Sequence, residues 1–144
     1  QFGGTIKDQA GDGVLILVGA PIAFADHAER AVGLARLIRA RGMELAGRWS
    51  DGDLQLGVGV GVASGFVTVG VIGAASRLEY TGVGPAVNLA SRLCSEAAHG
   101  EIVVDARTTE LLAQSQHRKS LTAGVPLRLK GFADPVQAYL LAAS

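Results

Sequence analysis

Asn88 and Arg92 are the two residues whose types and spacing most directly suggest chemistry. They lie four positions apart in a segment that follows Pro85, where apolar spacing predicts a helix over residues 85–98. An arginine guanidinium is a fixed fork that suits phosphate oxygens, and an asparagine amide offers both a donor and an acceptor. An amphipathic helix also carries such residues on its solvent face, so the spacing alone leaves both interpretations open.

Asp12 is a second candidate, because it lies between Gly11 and Gly13 and between two extended apolar runs. An Asp-Gly pair in that position predicts a hairpin turn. Hard cations bind carboxylate oxygens on exposed turns of this kind. A plain turn needs no function, however, and one aspartate does not make a metal site.

Glycine is the overrepresented residue, with 20 among 144, about twice the usual share of roughly 7%. Over residues 54–62 apolar residues alternate with a nearly bare face that carries Gly57, Gly59 and Gly61. The alternation predicts a strand, and the bare face indicates that a ligand or another backbone approaches closely. A flat, weakly specified strand is the competing interpretation.

The remaining elements must place these residues, and strands and helices interleave along the chain. The pattern predicts an α/β (α+β) domain built on one sheet. The other predicted helices cover residues 26–46 and 108–114, and the other predicted strands cover residues 4–8, 14–18, 66–72, 77–81, 101–104 and 135–141.

Composition excludes several classes of protein. The charge is balanced, with 13 basic and 13 acidic residues, so neither nucleic acid nor an anionic membrane is an expected partner. Cys94 is the single cysteine, which favours a reducing, cytoplasmic compartment, although a longer protein could still be tethered to a membrane. Because the chain opens on Gln1, we expect it to be part of something longer.

Taken in order, four segments resemble the class III adenylate/guanylate cyclase catalytic domain. They are residues 6–13 (IKDQAGDG), 59–65 (GVGVASG), 80–93 (YTGVGPAVNLASRL), and 129–132 (LKGF) followed by 135–139 (PVQAY). The resemblance implies a ferredoxin-like, palm-type sheet with helices packed mainly on one face. It also implies that residues 1–144 form a single cyclase domain without its first strand and the helices after it. That strand carries the family's first metal aspartate, so we expect little or no activity from this segment alone.

The resemblance also assigns roles to individual residues. Asp12 matches the second metal-binding aspartate, Asn88 the asparagine that orients the ribose, and Arg92 the arginine that stabilises the reacting phosphate. Thr81 matches the purine-selecting residue of the Thr-type subgroup, and Lys130 the lysine on the β- and γ-phosphates. The implied reaction is ATP to cyclic AMP and pyrophosphate, with two divalent ions (Mg or Mn) and a homodimeric site.

The residues expected to select the purine base depart from the family pattern. Asp8 stands where the family has its purine-contacting lysine, four residues before the metal aspartate, and Lys7 is its neighbour. An acidic group there could accept hydrogen bonds from guanine, whereas a local bulge could let Lys7 reach adenine. We favour ATP, with a GTP-using guanylate cyclase and a non-catalytic dimerisation or regulatory module as the alternatives.

Overall fold

The structure is a computed structural model that describes residues 1–143, without the side chains of residues 8–10. The elements in chain order are β1 (Gly4–Ala10), β2 (Gly13–Val18), α1 (His27–Trp49), β3 (Val60–Val62), β4 (Thr68–Ala74), β5 (Arg77–Val83), α2 (Pro85–Glu96), β6 (Ile102–Asp105), α3 (Ala106–Leu111), a 3₁₀ helix (Gln116–Ser120), β7 (Val125–Leu127) and β8 (Val136–Leu140). The predicted mixed α+β class is confirmed.

Backbone hydrogen bonds divide these strands into three sheets, where we expected one. The largest has the order β3-β6-β8-β7, with β3 parallel to β6 and the other pairs antiparallel. The pairs β1-β2 and β4-β5 are separate antiparallel hairpins. The two hairpins meet through side chains, since a Cβ on Gly82 of β5 would lie 3.0 Å from Leu17 of β2.

Helices cover both faces of the four-stranded sheet. Neighbouring residues of a strand point to opposite faces, so Ile102 and Val104 pack with α1 while Val103 packs with Leu93 of α2. Leu112, directly after α3, joins the α1 side. Two of the three helices therefore share one face, and α2 lies alone on the other.

The strand predicted over residues 54–62 is wrong for its first six residues, because β3 begins at Val60. The peptide nitrogen of Val58 donates to Nδ1 of His99 at 3.0 Å, and its carbonyl oxygen accepts from Gly100 at 2.7 Å. Its backbone groups are thus satisfied by the loop after α2, outside the sheet.

Two elements escaped the sequence pattern, β7 and the 3₁₀ helix. β7 is a three-residue edge strand with Pro126 at its centre, and proline is tolerated at an edge because no ladder donor is needed there. No helix within residues 1–143 is long and apolar enough to cross a membrane.

Candidate functional site

Helix α2 presents Asn88 and Arg92 on one face because it is anchored by the opposite face. Leu93 is 0% exposed and Ala86 is buried, while Asn88 is exposed and Arg92 half-buried. Pro85 occupies the first turn, where its missing N–H has no helical partner to lose. The predicted face is confirmed, although the helix ends at Glu96 instead of residue 98.

The bare glycine face sets how closely α2 approaches the sheet. A Cβ on Gly61 would overlap the carbonyl oxygen of Ala90 and the peptide nitrogen of Cys94, and one on Gly59 would lie 2.9 Å from Ala97. Of the two interpretations offered for this face, close approach of another backbone is the one observed. The approach of a ligand to this face is not observed, because α2 covers it.

Lys130 stands at the apex of a tight turn. The peptide nitrogen of Phe132 donates to the carbonyl oxygen of Leu129 at 3.1 Å, and Gly131 takes a positive φ of 88°, as the third residue of a type II turn requires. Leu129 is 5% exposed and Phe132 packs against the same core, so both ends of the turn are anchored. The turn therefore directs Lys130 outward.

Asn88, Arg92 and Lys130 converge on one open cleft of about 410 Å³. Its other lining residues are Pro85, Ser91, Gly131 and Phe132. Among the side chains that the structure describes, no carboxylate lines this cleft, and neither Arg92 nor Lys130 forms an ion pair. Two uncompensated cations beside an amide make the cleft suited to a polyanion such as a polyphosphate.

A second, more apolar cleft of about 270 Å³ adjoins the first, and Pro85 and Phe132 line both. Sequence reasoning missed these two residues as lining groups, although their positions beside the helix start and beside Lys130 were a signal. The apolar cleft also includes Ser64, whose Oγ lies 2.6 Å from Oγ1 of Thr108. An apolar cleft next to a cationic one suits a ligand with an apolar end and an anionic end.

Asp105 holds the chain beside this second cleft. Its carboxylate accepts from the peptide nitrogen of Thr108 at 3.0 Å and also from that of Ser64, and it caps α3. Burial raises the pKa of Asp105, and these hydrogen bonds only partly oppose the effect. The carboxylate is structural, since it does not line either cleft.

Asp12 lies apart from the cationic cleft. It is exposed in the turn between β1 and β2 and does not line the cleft. In the part of the chain that is described, no three His, Cys, Asp or Glu side chains gather as a metal cluster would require. Magnesium is commonly held by one or two carboxylates together with substrate phosphates, so the single exposed carboxylate of Asp12 is compatible with the predicted role.

Lys7, Asp8 and Thr81, the predicted purine-contacting residues, lie on β1 and β5. The pairing passes from Ile6↔Ile16 to Asp8↔Leu15, so Lys7 is the extra residue of a β-bulge. Its ammonium lies 3.9 Å from the centre of the Tyr80 ring. The side chain of Asp8 is outside the described residues, so its predicted role stays a prediction.

The chain matches the adenylate and guanylate cyclase catalytic domain over residues 6–143. It belongs to that family. An uncharacterised protein of Mycobacterium tuberculosis is 33% identical to this cyclase domain over 135 residues, which are 93% of the chain and 23% of the relative. The chain therefore spans about a quarter of the length of the curated relatives it matches.

Solved structures of the family agree with the architecture of this cyclase domain. The adenylyl cyclase CyaB from P. aeruginosa superimposes with a TM-score of 0.80 at 32% identity, over 99% of this chain and 74% of that one. The guanylyl cyclase Cya2 gives 0.80 at 33% identity, over 98% and 71%. An adenylyl cyclase and a guanylyl cyclase are thus about equally similar to this cyclase domain.

Proposed function

We propose that this cyclase domain converts ATP into cyclic AMP and pyrophosphate at a site shared by two copies of the chain. The observation that carries the proposal is the convergence of Asn88, Arg92 and Lys130 on one cleft without a carboxylate. The cleft supplies two cations for a triphosphate and an amide for the sugar, at the place where the family resemblance expects them.

In the proposed reaction the ribose 3′-oxygen attacks the α-phosphorus of the same nucleotide. An O–P bond forms, the bond from the α-phosphorus to the bridging oxygen breaks, pyrophosphate leaves, and the hydroxyl proton passes to solvent. Arg92 stabilises the negative charge that builds on the α-phosphoryl oxygens, and Lys130 binds the departing β- and γ-phosphates. Asn88, one helical turn before Arg92, hydrogen-bonds the ribose and orients it for attack.

Asp12 would hold divalent magnesium or manganese together with the nucleotide phosphates. When bound, such ions lower the pKa of the attacking hydroxyl and offset phosphate charge. The described residues offer one carboxylate for this purpose, so the remaining ligands of a two-ion site come from the nucleotide, from water or from outside these residues.

A second copy of the chain explains why Asp12 lies apart from the cleft. The β4–β5 hairpin and the loop before it expose several apolar side chains. Exposed apolar patches of this kind are typical of surfaces that are buried in an assembly. Phe66 is 99% exposed, and Val71, Ile72 and Leu78 are each more than half exposed. In a twofold dimer, one copy supplies Asp12 and the other Asn88 and Arg92 to each of two equivalent sites.

ATP is the proposed substrate because of the bulge at Lys7. Lys7 lies one residue further from Asp12 than the family's purine-contacting lysine, and a bulge absorbs one extra residue. The bulge puts Lys7 beside Asp8, which pairs with Leu15, so Lys7 lies next to the strand position of that lysine, and Thr81 matches the Thr-type subgroup. Adenine selection needs both residues, whereas guanine selection would rest on Asp8.

The experiment is to incubate the full-length protein with ATP or GTP and manganese, and to separate cyclic AMP from cyclic GMP by chromatography. We expect cyclic AMP as the main product. Cyclic GMP as the main product would support the guanylate cyclase alternative. Nucleotide binding without either product would support the non-catalytic module.

A further inference from the structure

The Lys7–Tyr80 contact does not bring Lys7 to the face of β5 that carries Thr81. Tyr80 and Gly82 share one face of the strand, because side chains alternate, and Thr81 lies on the other. The first face is the one covered by the β1–β2 hairpin, since Leu17 lies 3.0 Å from the Cβ position of Gly82. Lys7 thus meets Tyr80 on the side of β5 opposite to Thr81.

The aromatic ring is the partner that holds the ammonium there. Lys7 lies over the ring at 3.9 Å, and no carboxylate side chain within the described part of the chain forms an ion pair with it. A cation centred over an aromatic face is attracted by the negative potential of the ring. The contact also fixes a long side chain that would otherwise sample many rotamers.

The hydroxyl group of Tyr80 does not fix the position of the ring. Its hydroxyl oxygen is buried and has no hydrogen-bond partner among the described residues. The hydroxyl therefore contributes nothing to holding the ring in place, and a phenylalanine would offer Lys7 the same aromatic face. This makes Tyr80→Phe a matched control for any variant that removes the ring.

We propose that Tyr80 limits the affinity for ATP by holding Lys7 away from the base until an adenine nucleotide displaces it. The inference rests on the proposed function, because it takes Lys7 and Thr81 as the residues that read the purine. A base contacted by Thr81 reaches Lys7 only after the ammonium has left the ring. Breaking the cation–π contact costs free energy, and this cost weakens the binding of ATP. The Tyr80 ring determines the size of the cost.

The test uses the magnesium complex of adenosine 5′-(α,β-methylene)triphosphate, which has no cleavable oxygen between the α- and β-phosphorus. In the free protein, the Cε protons of Lys7 should resonate upfield because they lie over the ring, and saturation with the analogue should return them to ordinary lysine values. Tyr80→Leu should abolish the upfield shift and tighten binding of the analogue by about 2- to 5-fold. Tyr80→Phe should behave as the wild type does.

A cycle with Lys7→Met separates this role from a structural one. In the Lys7→Met background, Tyr80→Leu should leave the affinity for the analogue unchanged, because there is no ammonium to release. The inference would be overturned if the Lys7 protons stayed upfield at saturation. It would also be overturned if Tyr80→Leu weakened binding of the analogue when Lys7 is present but not in the Lys7→Met background. Failure of the wild type to bind the analogue would overturn the proposed function as well, so the two failures are distinguishable.

Discussion

The carbonyl oxygen of Leu129 accepts a hydrogen bond from the peptide nitrogen of Phe132 at 3.1 Å, and this contact closes the turn that presents Lys130 to the cleft. The turn depends on Gly131, whose φ of 88° lies in the left-handed region that favours glycine. A Cβ on Gly131 would meet nothing within 4 Å. Any effect of a substitution there must therefore come from backbone strain.

Gly131→Ala is expected to lower the free energy of unfolding by about 1–2 kcal/mol and to weaken triphosphate binding. The reason is that the alanine either remains strained or moves the turn, and with it Lys130. Urea unfolding and ATP titration measure the two effects. Gly47→Ala is the matched control, because its Cβ also meets nothing while its φ is an ordinary helical one, so that variant should be as stable as the wild type or more so.

Arg92→Ala in the full-length protein should lower kcat by about 100- to 1,000-fold, because the transition state loses a fixed cation. The half-buried side chain makes no ion pair within the described chain, so the thermal unfolding midpoint should change little. Arg92→Lys keeps the charge without the planar fork and should recover only part of the rate. Unchanged turnover in Arg92→Ala would contradict the assignment of this residue.

Mixing two inactive variants tests the shared site. Asp12→Asn and Arg92→Ala should each be inactive alone, whereas an equimolar mixture should recover about a quarter of wild-type activity, since half of randomly formed dimers carry one intact site out of two. Enzyme turnover before and after mixing is the measurement. A mixture that stays inactive although size-exclusion chromatography shows exchange into mixed dimers would place both residues in one copy.

Stability should depend on pH through His117. Burial, together with the nearby Arg36, lowers the pKa of His117 below its usual 6.5, and Glu29 opposes this weakly. The folded state therefore binds fewer protons than the unfolded state, so this contribution is complete above 6.5 and is lost as the pH falls through the folded-state pKa. Between about pH 7.5 and 5.5 the wild type should lose more free energy of unfolding than His117→Gln does. Equal losses in urea unfolding would contradict the assignment.

Much of the site was readable from the chain because it depends on local spacing. Asn88 and Arg92 share a helix face by virtue of being four residues apart, and Pro85 marks where that helix begins. The Asp-Gly pair at Asp12 and the flanking extended runs predicted the hairpin for an equally local reason, although the positive φ falls on Gly11 while Gly13 already pairs with Ala10. The type and order of most elements followed in the same way.

Long-range packing decided what spacing could not. Only the approach of α2 to Gly61 showed that the bare glycine face meets a helix backbone. Only the folded turn at Gly131 brought Lys130 to Arg92, some forty residues earlier in the chain. Likewise, the bulge at Lys7 and the ring of Tyr80 belong to different hairpins, so no pattern within either one predicts their contact. The sequence by itself determined which residues are the candidates for catalysis and binding, because residue type and local spacing are properties of the sequence. The tertiary structure alone decided which of them meet, because burial and close packing act between segments far apart in the chain.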